Sequence, residues 1–468
     1  MHENRKLSRR KFVATNAASL AVAAVVPRRV LGGAGHIPPS AQLNVAVIGT
    51  GGQGIVNIGN LLKQPDVRIP AICDVAQFWD NSHLYYRHNG GRGPALEAIE
   101  QHYRKAGADM PPCAVYVDFR VMLDKAGRDI DAVLVAAPNH IHAVASMAAI
   151  RAGKGVYCEK PLTHSVYEAR RVARAARDAG VATQMGNQGH SSDDIRRAVE
   201  WIRDGAIGNV REVHCWRGGP NRTMMTERPT ETPPVPEGLD WDLWLGPAPE
   251  RPFHPAYAPL VFHYWWDFGS GTLGNFGCHT LDTAVWALDL EHPTLIEASS
   301  TERNDETTPL AAVYHYKFPT RGEQPPVDLF WYDGGLRPPR PDCLEPEREL
   351  PQAGGSLIVG DEGAILSGVW SASPRIIPEA KMRQYEPPPP TISRSKGHHR
   401  DWIDACKGGP PASANFEYGA RLTEIVLLGV VALRTGKTLH WDGPNMRATN
   451  APEAEPFIRG YFRKGWEI

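Results

Sequence analysis

The 468-residue sequence predicts an α/β chain whose first domain is built on a parallel sheet, and three observations carry that prediction. An apolar run, Leu43 to Ile48, ends directly in Gly49-Thr50-Gly51-Gly52-Gln53-Gly54, a glycine-rich turn between a strand and a helix. A second apolar run, Val67 to Cys73, ends at Asp74, 20 positions after Gly54. Two further short apolar runs, Ile130 to Ala136 and Gly155 to Cys158, read as buried strands separated by a helical stretch from His142 to Ala152.

The turn is G-x-G-x-x-G, and each glycine has a physical job. Gly49 permits the tight turn, Gly51 lets backbone approach a pyrophosphate, and Gly54 lets the helix pack close to the strand. Gly52 and Gln53 stand at the helix start, where free N–H groups and the helix dipole favour phosphate. Asp74 suits the adenine ribose hydroxyls and would repel a 2′-phosphate, so NAD is expected rather than NADP. A glycine-rich turn without a ligand is the plain alternative; the strand, the helix and Asp74 together argue for a Rossmann dinucleotide site.

Length and composition bound the rest. The chain is too long for one ordinary domain. Apolar content of 42% and charged content of 22% describe a globular protein. Lys plus Arg is 51 against 52 Asp plus Glu, so nothing suggests a nucleic-acid partner. Seven cysteines form no C-x-x-C pair, which disfavours a disulfide framework or a metal site.

Residues 1–38 read as an export signal. Ser8-Arg9-Arg10-Lys11-Phe12-Val13 resembles the twin-arginine motif of bacterial signal peptides, and an Ala-rich apolar run from Ala14 to Val26 follows. That run is too short to span a bilayer. The expected destination is the periplasm. Because that route is understood to carry folded proteins, the cofactor is expected to be loaded before export and to stay bound.

In chain order, an irregular insert follows Asp74, then a helical stretch from Leu96 to Lys105. Pro138-Asn139-His140-Ile141-His142 sits at a strand's carboxyl end, the edge along which open α/β sheets bind ligands. The next strand ends in Glu159-Lys160-Pro161. With the glycine turn and Asp74, these elements occur in the order and spacing of the glucose–fructose oxidoreductase / inositol dehydrogenase / MocA family, and the chain resembles it over nearly all of residues 40–440. The resemblance implies a Rossmann domain followed by a C-terminal α/β domain with an open, mostly antiparallel sheet. Such sheets often mediate oligomers, so a homo-dimer or homo-tetramer is expected. The expected divisions are 39–161 for the NAD-binding domain, 162–440 for the second domain and 441–468 for a tail.

Lys160 is the expected base. A lysine at a strand end, partly desolvated and near a cationic nicotinamide, has its pKa lowered enough to take a proton. Glu159 is expected to orient the nicotinamide ribose or Lys160. Pro138, Asn139 and His142 are expected against the cofactor, as is Gln188 in the polar loop Gly186-Asn187-Gln188-Gly189-His190-Ser191. That loop also reads as a capped entry to a helix near Asp193, with Ser191 or Asp193 as cap. His190 is carried as a substrate contact.

The stretch from Gly218 to Val261 is long, Pro-rich and aromatic. Trp241 and Trp244 read as packing residues; His263 and Trp265 are open to packing or to contact with a sugar. The segment Asn275-Phe276-Gly277-Cys278-His279-Thr280-Leu281-Asp282 resembles the family's second catalytic motif, usually Asp, then His four positions on, then Asp three further. That spacing shares one helical face. His279 and Asp282 match, and Asn275 departs, since an amide cannot accept a proton. His279, with an ordinary pKa near 6.5, becomes the expected proton carrier, and Asn275 and Asp282 substrate contacts.

Strands are expected at Thr294 to Ser300, Leu310 to Phe318 and Val327 to Tyr332, and helices at Ser165 to Ala179, Lys396 to Lys407 and Ala414 to Leu433. The expected function is NAD-dependent hydride transfer at a secondary alcohol of a sugar, glycoside or cyclitol. One rival is an NAD-dependent glycosidase or lyase that uses transient oxidation. Another is a non-catalytic nucleotide- or sugar-binding protein. No membrane span is expected.

Overall fold

The computed structural model describes residues 37–220 and 227–468. The twin-arginine segment therefore lies outside the described residues, except for its last two positions.

The first sheet has seven strands: β1 (Leu43–Ile48), β2 (Val67–Arg68), β3 (Ala71–Cys73), β4 (Ala114–Tyr116), β5 (Ala132–Val135), β6 (Gly155–Glu159) and β7 (Thr183–Gly186). Their order is β4-β3-β1-β5-β6-β7, with β2 also paired to β1. Every pairing is parallel. Helices cover both faces, so successive residues of β1 are all apolar. Val45 and Val47 face a core with Ile58, Leu61 and Trp402, while Ala46 and Ile48 face the opposite core. The order reverses between β1 and β5, the place where open α/β sheets bind ligands beyond the strands' carboxyl ends.

The expected run from Val67 to Cys73 divides in two at Ile69-Pro70, because proline has no N–H for the ladder. The boundary expected at 161 moves to about Gly186, since β7 pairs with β6 and completes the first sheet. The helix after β7 starts at Asp193, and its N-cap is Ser192, whose hydroxyl accepts from Ile195 N.

The second sheet has nine strands: β8 (Val210–Arg217), β9 (Leu295–Ser300), β10 (Ala312–Phe318), β11 (Val327–Tyr332), β12 (Gly354–Gly360), β13 (Gly363–Gly368), β14 (Arg375–Ile377), β15 (Leu439–Asp442) and β16 (Arg447–Ala448). Their order is β14-β13-β12-β8-β11-β10-β9-β15-β16. All pairs are antiparallel except β8 with β11. In β11, Val327, Leu329 and Trp331 are buried while Asp328, Phe330 and Tyr332 are half-buried, the alternation of a sheet with one covered face.

The helix Phe416–Thr435 joins the two units. It begins at Asn415, whose side chain accepts from Glu417 N and Tyr418 N, and ends at the left-handed Gly436. It packs on the helices Val166–Ala179 and Gly271–Thr280 and on β9. Its one deeply buried acid, Glu424, is held by both arms of Arg170 at 2.7 and 2.6 Å.

The expected tail is part of the fold. Trp441 and Ala448 lie on β15 and β16, and Ile458 and Trp466 are buried in the main core. Arg463 N donates to Pro247 O, tying the end of the chain to the aromatic segment. Within that segment, Trp241, Trp244, Phe253, Tyr257, Trp265 and Phe268 form a core of their own. Trp265 is therefore corrected from a substrate contact to a packing residue: it is 2% exposed, and its indole N–H donates to Ala256 O at 2.7 Å. Among the described residues no helix is long and apolar enough to cross a membrane.

Candidate active site

The glycine turn leaves β1 and enters the helix Gly52–Leu62. Gly49 has φ +83°, and an added Cβ would lie 2.6 Å from the backbone of Ala136 and Ala137. A Cβ on Gly54 would lie 2.0 Å from Gly49 O, so strand and helix touch through bare backbone. At Gly51 a Cβ would meet nothing within 4 Å. The turn thus carries an open cradle at the helix start, which fits the phosphates of a dinucleotide. Tyr86 of the insert lies against Gly52, whose Cβ would fall 2.1 Å from the ring, and Tyr85 packs on Tyr86 with centroids 3.9 Å apart.

Asp74 ends β3 and turns to the same loop. Its Oδ2 accepts from Thr50 N at 2.6 Å, and its Oδ1 accepts from Ala76 N at 2.9 Å. Burial raises its pKa, and these donors oppose the rise. Asp74 therefore fixes the glycine turn as well as offering lone pairs to a ribose.

Glu159, at the end of β6, is a buried hub. Its Oε1 accepts from Asn57 Nδ2 at 2.9 Å and from Gln188 Nε2 at 3.1 Å. Asn57 Oδ1 in turn lies 3.0 Å from His399 Nε2 and 3.5 Å from Gln53 Nε2. The carboxylate so links the glycine helix, the loop after β7 and the helix His398–Cys406.

Lys160 stands beside it, half-buried. Its Nζ donates to Asn275 O at 2.8 Å and to Asn275 Oδ1 at 2.7 Å. Burial pushes its pKa below the ordinary lysine value, while the Glu159 carboxylate pulls the other way. His263 and His279 share its surroundings, and burial and the Lys160 charge hold both imidazoles well below their usual pKa. Each leaves Nδ1 without a hydrogen-bond partner among the described residues. His279 is thus a neutral imidazole at neutral pH, which corrects the expectation of a group titrating near 6.5.

Three other expected contacts turn away from the cleft. His142 directs Nδ1 to Pro161 O and Nε2 to Ala137 O, both at 2.7 Å, and burial brings its pKa to about 4. A neutral ring has one N–H to donate, to one carbonyl or the other, and both nitrogens face backbone, so neither is aimed at the cofactor. His190 is 0% exposed, stacks on Trp286 and places Nδ1 3.0 Å from Asp282 Oδ1. Asp282, 1% exposed, also accepts from Asn187 Nδ2 and Tyr418 O–H. His190 and Asp282 are corrected from substrate contacts to a buried brace behind the helix that carries His279. Pro138 caps the helix Asn139–Arg151, where Asn139 Nδ2 is buried and unpartnered.

Sequence reasoning missed Asn57, His399, Tyr86 and Trp370. Asn57 had a signal: it is a lone polar residue on the apolar face formed by Ile58 and Leu61. Trp370 meets the His279 ring edge-on, with centroids 5.8 Å apart, through a bend after β13 that no local motif announces. Among the described residues no group of three or more His, Cys, Asp or Glu is placed to hold a metal.

Fold and site together define a two-domain α/β protein of the dinucleotide-binding class. The chain belongs to the glucose–fructose oxidoreductase / inositol dehydrogenase / MocA family. That family's model for an oxidoreductase NAD-binding Rossmann fold matches residues 43–187, and its C-terminal alpha/beta domain matches residues 221–318. Levoglucosan dehydrogenase of Pseudarthrobacter phenanthrenivorans is 31% identical over 112 residues, 23% of this chain and 28% of that protein. A glycosyl hydrolase family 109 protein of Stenotrophomonas maltophilia is 25% identical over 216 residues, 45% of this chain and 42% of that protein. The match therefore spans less than half the length of either relative. The Bordetella pertussis WlbA dehydrogenase, solved with NADH and UDP-GlcNAcA, shares the fold with a TM-score of 0.56 at 15% identity, over 86% of this chain and 99% of that one.

Proposed function

We propose that the protein is an NAD-dependent oxidoreductase that moves a hydride between a secondary alcohol of a sugar, glycoside or cyclitol and a tightly held nicotinamide cofactor. The observation that carries this reading is the pairing of Lys160 with Asn275 at the carboxyl end of β6. A neutral amine has two N–H bonds and one lone pair. Asn275 takes both N–H bonds through O and Oδ1, which leaves the lone pair free for the proton of a substrate hydroxyl. Asn275 is thereby a positioning residue for Lys160, and a neutral amide in place of the family's acid keeps the amine from being held in its charged form. The neutral rings of His263 and His279 offer hydrogen bonds to neighbouring hydroxyls. NAD, when bound, supplies the hydride acceptor; Asp74 favours it over NADP because a buried carboxylate repels a 2′-phosphate.

A second reading is favoured by the match to a glycosyl hydrolase family 109 protein. Oxidation of one ring carbon acidifies the neighbouring C–H. A base then removes that proton, the glycosidic oxygen leaves, and the hydride returns with no net redox change. The first reading predicts a keto sugar with net NADH, the second a free sugar with none. A panel of sugars and aryl glycosides, followed by product mass and absorbance at the nicotinamide band, decides between them. A protein that binds no nicotinamide nucleotide and yields neither product sinks both.

We also propose export by the twin-arginine route, supported by Ser8 to Val13 and the apolar run behind it, and association of two or four copies through the second sheet. The half-buried rings of His315 and Phe330, stacked on the buried His214 at that sheet's outer face, support the association.

A further inference from the structure

Resting on the oxidoreductase reading and deepening it, we propose that Trp370 is the ring platform of the sugar subsite and selects substrates that present the apolar face of a closed ring. Trp370 lies in the bend after β13, against the helix Gly271–Thr280 that carries His279. It is 53% exposed, and among the described residues it is the one tryptophan with an exposed side chain. Its ring meets His279 edge-on. A Cβ on Gly189 would lie 3.1 Å from Trp370, so the loop after β7 comes up against its base.

The backbone here is unusual. Trp370, Ser371 and Ser373 have φ of +61°, +60° and +50°, three non-glycine residues in the left-handed region within four positions. Such conformations persist where surrounding structure imposes them, and they cluster at ligand clamps. The bend is fastened from several sides. Ser371 is 1% exposed and shares a hydrogen bond with Thr283. Ser373 N donates to Asp194 Oδ2 at 2.7 Å, and Gly368 N donates to Ala372 O at 2.9 Å. Strain maintained by three hydrogen bonds, with the indole left in solvent, is not explained by core packing.

A binding site explains it. One flat apolar face stands beside His279, whose Nδ1 is unpartnered among the described residues, whose helix also carries Asn275, and which feels the charge of Lys160. A closed sugar or cyclitol ring has a C–H face for the indole and hydroxyls for the polar groups. An open-chain polyol has no such face.

Two variants separate ring from backbone. Trp370→Gly accepts the left-handed φ without strain and removes the ring, and Trp370→Phe keeps an aromatic face. Steady-state rates are measured on a cyclic sugar and on an alditol of equal carbon number, with bound NAD quantified for each variant. Trp370→Gly is expected to raise KM for the cyclic substrate about tenfold or more and to change kcat less than about threefold. Trp370→Phe recovers most of the loss, the alditol is unaffected and NAD content is unchanged. An unchanged KM for the cyclic substrate overturns the platform. If the wild type oxidises no carbohydrate, the oxidoreductase reading fails by itself. Saturation-transfer NMR with methyl β-glucopyranoside then judges Trp370 alone: ring-proton signals that are absent, or equal in wild type and Trp370→Gly, overturn it.

Discussion

The proton chemistry rests on single residues, and the pair Lys160 and Asn275 makes a pH prediction. Alcohol oxidation needs Lys160 neutral, and burial favours that form. The kcat/KM for oxidation should therefore rise with pH through an inflection below the ordinary lysine value of 10.5, and the reverse reduction should fall over the same range. Asn275→Asp puts a carboxylate beside Nζ, which favours the charged amine, so the rising limb should move up by about one unit or more. Lys160→Met should remove the limb and lower the rate about 10²–10⁴-fold. A limb that stays in place in Asn275→Asp would refute the assignment of the base. His279 should add no inflection near 6.5, since burial keeps it neutral. Lys160, Asn275 and His279 were legible in the sequence because each sits in a short motif at a strand or helix end. Their pKa values were not, because desolvation depends on what the fold packs around them. The same limit explains His190 and Asp282: spacing placed them correctly along the chain, and burial then turned them into a brace.

At the scale of elements, the glycine turn was read fully from sequence because its requirements are local. Its glycines differ in what they do, and that difference is testable. A Cβ on Gly54 would strike Gly49 O, which is backbone and cannot move aside. Gly54→Ala should lower stability by about 1–3 kcal/mol and abolish nucleotide binding together. Gly51 faces open space and has φ −75°. Gly51→Ala should leave the melting temperature within error and weaken NAD binding about tenfold or more, because the new methyl fills the phosphate cradle. Thermal melts and NAD titrations of both variants check this; equal effects on folding and binding in the two would count against the cradle. Elements whose signal is non-local were missed. β8 lies at the centre of the second sheet, yet Glu212, Arg211 and His214 break its apolar pattern. β4 is an exposed edge strand, so it has no hydrophobic period to read. The β12–β13 hairpin is rich in glycine and serine, residues that speak against strands when taken alone.

For the whole molecule, the proposed export raises the question of how the cofactor would be kept. The expected boundary at 161 and the expected tail both failed because the chain crosses between units repeatedly. β7 completes the first sheet, the helix His398–Cys406 returns to it, and the last residues close over the aromatic segment. One hydrophobic core runs through both units. That continuity disfavours wide opening of the cleft, so retention of a dinucleotide depends on what covers the phosphate cradle. The insert between Asp74 and Arg92 does so: Gly91 N donates to Thr50 O, Trp79 bridges Gly90, and the insert is pinned to the second unit where Ala76 bridges Leu239. It holds Tyr86 on Gly52, with Tyr85 packed against it. Protein purified after export and denatured should release about one NAD(H) per chain, since loss into a compartment without a nucleotide pool would be irreversible by mass action. The double variant Tyr85→Ala/Tyr86→Ala should fold, because Tyr85 is 66% exposed and neither ring belongs to a core cluster. It should nonetheless emerge from gel filtration depleted of nucleotide and regain activity on added NAD. Full retention in the double variant would move the cause of tight binding from this roof to the cradle itself.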